Sequence, residues 1–240
     1  MKRICILLIV IGLTALGASF GVIGTVLGAA HEDGCGVGAI VSKHLISDSF
    51  ESKSISSNVW GWYGTNQPNN VTLTQNDDAL NMSVSSAATN NFTAGAVTRC
   101  KLRGDFDATL SFRLVKWQPY NGVWVTLQAA DTGGFSVYRV SWLYDYGDDY
   151  GAYLPPGGNT AAASGNESVL RLSRHGATWT GYYLSDNNWV PIGSGVGPTS
   201  DIALGPGVSN NSGVAPFAGS ATTVAFDGFH AIAAEVVCPH

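Results

Sequence analysis

Charge is scarce in this chain, since Asp, Glu, Lys and Arg together make up only 12% of its 240 residues. The 12 basic residues form no cluster, which argues against nucleic acid or an anionic membrane surface as a partner, because counterion release needs Lys and Arg. Gly, Thr, Ser and Asn are abundant instead, unlike the Glu, Lys and Leu of a cytosolic helical protein. A hydrophobic content of 45% is ample for a core and argues against extensive disorder.

Cysteine is also rare, with four residues in the whole chain. Neither the cysteines nor the five histidines show a metal-ligand spacing, which argues against a zinc site. In an oxidising compartment we expect one disulfide, and we assign it to Cys35 and Cys238 because sandwich domains often bring their termini together. Cys100 lies in a predicted strand, where we expect a small buried hydrophobic residue.

The N-terminus has the pattern of an export signal. Lys2 and Arg3 precede the uncharged stretch 4–30, and small residues at its end predict cleavage after about Ala30. An uncleaved anchor helix is the alternative, because the stretch exceeds the roughly 20 residues that span a bilayer. Both interpretations export residues 31–240, to the cell surface or as a secreted protein. After cleavage 10 basic (12 − 2) and 17 acidic residues would remain, a net charge of −7.

The rest of the chain alternates with a period of two residues, as strands with one buried face do. In 105–115 apolar side chains alternate with polar ones, and in 123–128 Val and Leu alternate with Trp, Thr and Gln. Turn-forming Gly, Pro and Asn separate about a dozen such segments, which predicts a sandwich or barrel. We predict one all-β domain over 45–233, with a leader at 31–44 and a tail at 234–240.

A series of segments resembles the concanavalin A-like lectin/glucanase superfamily, especially its uncharacterised extracellular jelly-roll domains and laminin G-like modules. The resemblance implies an antiparallel two-sheet jelly-roll sandwich with a convex and a concave sheet, in which the first and last strands pair. The segments that carry it span roughly 45–233 and are Asp48-Ser-Phe50, Trp60-Gly-Trp62, Asp78–Met82, Gly104–Asp107, Leu170–Gly176 with Trp179, Trp189, and Val224–Phe229.

The catalytic pattern of the hydrolase branch, Glu-x-Asp-x-x-Glu on one strand, is absent, and the chain has only four glutamates. Asp105 and Asp107 share a strand face by their spacing, but the resemblance implies that this segment starts a strand in non-catalytic relatives. The serine-hydrolase motif Gly-x-Ser-x-Gly is absent too. We therefore assign no catalytic residue, which favours a protein that is not an enzyme without deciding the question.

Aromatic side chains that alternate away from the core are the candidate ligand contacts, because Trp and Tyr rings stack on the apolar faces of sugars. The alternative is that these rings fill the core, as we expect for Trp60, Trp62 and Trp189. No cofactor is predicted, except that the acidic loop 142–150 could hold calcium, the alternative being a solvated turn. The candidate ligand contacts are Trp124, Trp142, Tyr144, Tyr146 and Trp179, and the candidate calcium ligands are Asp145, Asp148 and Asp149.

These features predict a non-catalytic, carbohydrate-binding or adhesive module of the cell surface, whose partner is a glycan or cell-surface polysaccharide. A membrane would be contacted only through 4–30, if that segment is not cleaved. A glycoside hydrolase or lyase of the same fold is the first alternative. A structural cell-envelope protein without a small ligand is the second.

Overall fold

The structure is a computed structural model that describes residues 38–65, 70–89, 91–130, 132, 134–142, 147–211, 213 and 217–239. These residues belong to one compact unit, Val37–His240. The predicted signal or anchor segment 1–30 and Cys35 lie outside the described residues. No helix long and apolar enough to cross a membrane occurs among the residues described.

The described residues form an all-β structure of sixteen strands. The strands are β1 Ile40–Val41, β2 Leu45–Asp48, β3 Trp60–Thr65, β4 Val71–Asn76, β5 Ala79–Val84, β6 Thr93–Thr98, β7 Lys101–Lys116, β8 Trp124–Ala129, β9 Ser136–Ser141, β10 Asp148–Tyr153, β11 Thr160–Ala162, β12 Glu167–His175, β13 Thr178–Ser185, β14 Asn188–Val196, β15 Leu204–Ser209 and β16 Thr222–Val237.

The strands build two antiparallel sheets. The nine-stranded sheet has the order β1-β2-β16-β7-β12-β13-β14, and β5 also pairs with β16 and with β4. The seven-stranded sheet has the order β11-β10-β9-β8-β15-β6-β3. The predicted all-β sandwich is therefore confirmed. Within the predicted span 45–233 the first strand, β2, pairs with the last, β16, whereas among the described strands β1 pairs only with β2.

The core lies between the two sheets and follows the two-residue alternation of the sequence. In β7 the apolar side chains of Phe106, Leu110 and Phe112 are buried, whereas the polar residues between them are not. In β8 the alternating Val125 and Leu127 are completely buried. Because one face of each sheet supplies this core, the residues between the apolar ones lie on the outer faces of the sandwich.

The sandwich extends beyond the predicted limits 45–233. Strand β1 lies in the predicted leader 31–44, and β16 continues through the predicted tail to Val237. The 16-residue strands β7 and β16 pair along most of their length, with register shifts that mark bulges. Such irregularities let two long strands follow the twist of the sheet.

The disulfide joins Cys238 to Cys100 and not to Cys35, so the predicted pairing is wrong. The reason is the register of the two long strands: Val237 pairs with Lys101, which brings the residue after β16 next to the residue before β7. Cys100 is buried, as expected, but as one half of this bridge.

Candidate functional site

The outer face of the seven-stranded sheet carries two of the five predicted ligand contacts, Trp124 and Trp142. Paired residues of antiparallel strands point to the same face. Leu127 pairs with Val137, and both side chains are in the core. The adjacent pair, Thr126 and Tyr138, therefore points outward. Trp124 and Gln128 share the outer face of β8 with Thr126, because side chains two residues apart on a strand point the same way.

Three rings pack together on this face, and we call Trp124, Tyr138 and Trp142 the aromatic cluster. The rings of Trp124 and Tyr138 have centroids 4.4 Å apart, and those of Trp124 and Trp142 meet edge to face at 5.7 Å. Trp142 Nε1 donates to Asp149 Oδ2 at 2.8 Å. These contacts link β8, β9 and β10, so the predicted contacts Trp124 and Trp142 lie side by side.

Glycines form the floor of the face next to the aromatic cluster. A Cβ atom at Gly95 or at Gly207 would collide with the hydroxyl of Tyr63, so the ring of Tyr63 lies across β6 and β15 where they have no side chains. Burial raises the pKa of this hydroxyl above its ordinary range, and a hydrogen bond with Gln128 acts in the opposite direction. The hydroxyl of Tyr63 is therefore neutral at any physiological pH.

Two polar atoms of this face are buried without a hydrogen-bond partner: Trp124 Nε1 and Thr126 Oγ1. A buried polar group without a partner costs about 1–3 kcal/mol. The two residues lie two positions apart on β8, about 6.6–6.8 Å along the strand. The face can therefore offer an indole N–H and a hydroxyl to a ligand between aromatic walls.

The other three predicted ligand contacts are not among the described residues of this face. Tyr144 and Tyr146 lie outside the described residues. Trp179 is wrong as a ligand contact, because it is completely buried between the sheets. Its ring packs edge to face against Phe106 and Phe135, at 5.1 and 5.2 Å. In β13 Trp179 alternates with Thr178 and Thr180, so the period of two places Trp179 on the core face of this strand.

The described residues do not fit the predicted calcium site. Asp148 and Asp149 are neighbours in β10, so their side chains point to opposite faces of the sheet. Asp148 accepts from Arg139 and Trp117, at 2.7 and 2.9 Å, and Asp149 accepts from Trp142. The third predicted ligand, Asp145, lies outside the described residues, among which no group of three or more His, Cys, Asp or Glu side chains could hold a metal ion.

Asp105 and Asp107 lie on β7 in the nine-stranded sheet, a different layer from the aromatic cluster. Asp107 binds the guanidinium of Arg171, and Asp105 lies 2.6 Å from His175 Nδ1. The N–H of Gly176, followed by the charge of His175, holds the pKa of Asp105 below its ordinary value. Both carboxylates thus have cationic or donor partners across the strands. They lie inside β7, which begins at Lys101, so this segment does not start the strand as the resemblance implied.

The sequence missed three residues of the face. Thr126 and Tyr138 occupy alternating positions that the period of two could have assigned to the outer face. Tyr63 had no such signal, because it follows Trp62 in a strand whose inner and outer residues are both aromatic. Trp62 and Trp189 were predicted to be core residues and are exposed, which corrects that prediction, whereas Trp60 is buried as expected.

Comparison with known proteins gives a match by structure only. No family model matches the sequence, and no curated protein matches it. The carbohydrate recognition domain of Emp47p has a TM-score of 0.54 and 9% identity, with 83% of this chain and 99% of that domain covered. A prokaryotic β-1,3-1,4-glucanase (lichenase) from a mouse hindgut metagenome has a TM-score of 0.55 and 12% identity over 79% and 99% of the two chains.

A third similar structure is the GH43 protein BlXynB of Bacillus licheniformis, with a TM-score of 0.53 and 11% identity. The match covers 78% of this chain but spans only 39% of that protein. Lectin and glycoside hydrolase domains therefore both appear among the structural neighbours, and at these identities they agree in fold alone. The chain has the concanavalin A-like jelly-roll fold that the order of its sequence segments resembles.

Proposed function

We propose that this chain is a non-catalytic carbohydrate-binding module, which contacts a glycan through the outer face of its seven-stranded sheet. The observation that carries the proposal is the aromatic cluster together with the unpartnered Trp124 Nε1 and Thr126 Oγ1. Rings of this kind stack on the apolar faces of sugars, and sugar hydroxyls would supply the missing hydrogen-bond partners. The carbohydrate recognition domain among the structural neighbours supports the same interpretation.

Access to the two polar atoms requires a small movement, because both are shielded from solvent. Trp142 is only partly buried, and it follows β9 at the start of the β9–β10 connection. Its ring is held by the contact with Trp124 and the hydrogen bond to Asp149, both of which such a movement would break. A rotation of Trp142 would uncover Trp124 and offer its own ring to the ligand.

The sharpest test is Thr126→Val, which removes a hydroxyl without changing the volume of the side chain. Since this hydroxyl has no partner in the free protein, the substitution should leave the free energy of unfolding unchanged or raise it. Affinity for the glycan, found by screening the full chain on a glycan array, should fall by about tenfold, which corresponds to 1.4 kcal/mol. Equal affinities of the variant and the native chain would argue against Thr126 as a contact.

Trp142→Ala tests the aromatic cluster, and Trp189→Ala is its matched control. Trp189 is an exposed tryptophan that lies on β14 in the other sheet, beside Arg171. Trp142→Ala should abolish binding, and Trp189→Ala should preserve it. No binding to any glycan, or equal losses in both variants, would defeat the proposal.

A glycoside hydrolase is the second candidate, because the lichenase and the GH43 protein share the fold. Hydrolysis needs two carboxyl groups, about 5–5.5 Å apart for retention or about 6.5–9.5 Å for inversion. Among the described strand residues of the outer face, Asp149 is the one carboxylate. Release of reducing sugar that Asp149→Asn abolishes would favour the hydrolase over the binding module.

We further propose that the chain acts outside the cell, with 4–30 as its export signal. The uncharged stretch after Lys2 and Arg3 supports this proposal. Mass spectrometry of the protein from the culture medium should give an N-terminus near His31. A product that keeps residues 1–30 and sediments with membranes would favour the anchor instead.

A further inference from the structure

We infer that the outer face of the seven-stranded sheet selects uncharged glycans over glycans that carry carboxylate or sulfate groups. This inference rests on the proposed function and adds the class of ligand to it. Three features of the face carry it: the kind of polar atom that lacks a partner, the sign of the nearest charge, and the position of the nearby cations.

The two polar atoms of the face that lack a partner are best satisfied by the uncharged oxygen atoms of a ligand. Indole Nε1 of Trp124 can only donate a hydrogen bond, and the hydroxyl of Thr126 can donate or accept. A sugar hydroxyl satisfies both, because it accepts and donates in turn. A carboxylate or sulfate would also accept from Trp124, but its charge would then be buried without a cation.

The fixed charge of the face is negative. Asp149 is on the outer side of β10, close to Tyr138, and accepts a hydrogen bond from Trp142 Nε1. Burial raises the pKa of the Tyr138 hydroxyl, and the negative charge of Asp149 raises it further. An anionic ligand stacked on the aromatic cluster would meet this carboxylate at close range.

The two arginines of this sheet and its strand ends, Arg139 and Arg99, form hydrogen bonds with other groups of the protein. Arg139 lies between two outward residues of β9, but its own side chain points inward, where it binds Asp148 and the carbonyl of Gly165. Arg99 lies beyond the end of β6, where its Nε donates to the carbonyls of Ser57 and Trp60.

The internal segments outside the described residues add no positive charge. Lys, Arg and His are absent from the sequence of 66–69, 90, 131, 133, 143–146, 212 and 214–216. These segments contain Asp131 and Asp145, so any charge that they bring to the face is negative. The selectivity follows from electrostatics, because like charges at the protein surface repel most strongly where no cation compensates them.

The test uses the full chain and polysaccharides matched in backbone. The best uncharged binder from a panel of β-glucan, xylan and mannan is compared with its carboxymethyl derivative, and its hydroxyethyl derivative serves as a control for the bulk of the substituent. We expect carboxymethylation to weaken binding about tenfold more than hydroxyethylation, at physiological ionic strength.

Asp149→Asn should recover part of the lost affinity, because the amide removes the charge but keeps an oxygen that can accept from Trp142. Stronger binding of a uronate or a sulfated polysaccharide than of every neutral one would overturn this inference and leave glycan binding intact. Failure of all polysaccharides, charged and uncharged, would overturn the proposed function, and this inference with it.

Discussion

Cys238 is bonded to Cys100 across 138 residues of sequence, and the bond ties the end of β16 to the start of β7. These two strands are the longest of the nine-stranded sheet and pair with each other there. The bridge therefore closes the ladder just beyond the last pair, Val237 with Lys101, where the end of β16 would otherwise fray.

Replacing Cys238 by Ser should lower the free energy of unfolding by about 2–5 kcal/mol, because a long loop is no longer closed in the unfolded chain. Urea denaturation measures the change. A reducing agent should lower the stability of the native chain by a similar amount and should not affect the variant. A native chain that is equally stable with and without reductant would contradict the prediction.

Gly207→Ala should destabilise the protein by about 1–3 kcal/mol, because the added methyl group collides with the Tyr63 hydroxyl. Tyr63→Phe removes that hydroxyl, so the double variant should recover much of the loss in a thermal denaturation cycle. Gly157→Ala is the control, since a Cβ atom there meets nothing within 4 Å. Additive effects of the two substitutions would show that Tyr63 does not lie over this glycine.

Asp201→Asn should make stability less sensitive to acid. A hydrogen bond from Arg103 is the largest cause that holds the pKa of Asp201 below its ordinary value of 3.8. Because the pKa of Asp201 is lowered in the folded state, its carboxylate adds stability at pH values above its ordinary pKa. This stability is lost as the pH falls through the lowered pKa of the folded state. Urea midpoints between pH 5 and pH 2 should therefore fall less steeply in the variant, and Arg103→Gln should have the same effect.

Trp179→Phe should lower the free energy of unfolding by about 1–3 kcal/mol, because it leaves a cavity between the sheets and removes the hydrogen bond to Pro198. Affinity for the glycan should stay at the native value, unlike that of Trp142→Ala. Calorimetry and binding measurements on the same samples separate the two effects. A loss of affinity without a loss of stability would return Trp179 to the ligand site.

The fold was predictable because its core repeats one simple pattern many times. The alternation in β7 and in β8 was enough to assign the buried faces of both sheets. The arginines show where such patterns fail. Charge favours an outward position for each of Arg139, Arg171 and Arg174, but of these three only Arg171 points outward and pairs across strands.

Arg139 and Arg174 are buried because partners distant in sequence satisfy them. Arg139 binds Asp148 and carbonyls of the β11–β12 connection, and Arg174 binds the carbonyls of Gly104 and Ser200. The charge of an arginine predicts that its side chain is exposed. These two are buried instead because hydrogen-bond partners from other parts of the fold surround them. The candidate site was predictable to the same extent. Alternation identified Trp124 as an outward residue, whereas the position of Tyr63 over two glycines depends on contacts between strands that are distant in sequence.

The position of β16 in the middle of the nine-stranded sheet, between β7 on one side and β2 and β5 on the other, has a consequence for biosynthesis. Of the described strands of this layer β16 is synthesised last, so β2 and β5 lack the partner that joins them to β7 until it emerges. The pairs β1–β2 and β4–β5 therefore join the rest of this layer only after synthesis of β16, and a chain without β16 would lose the strand that connects the two parts of the sheet.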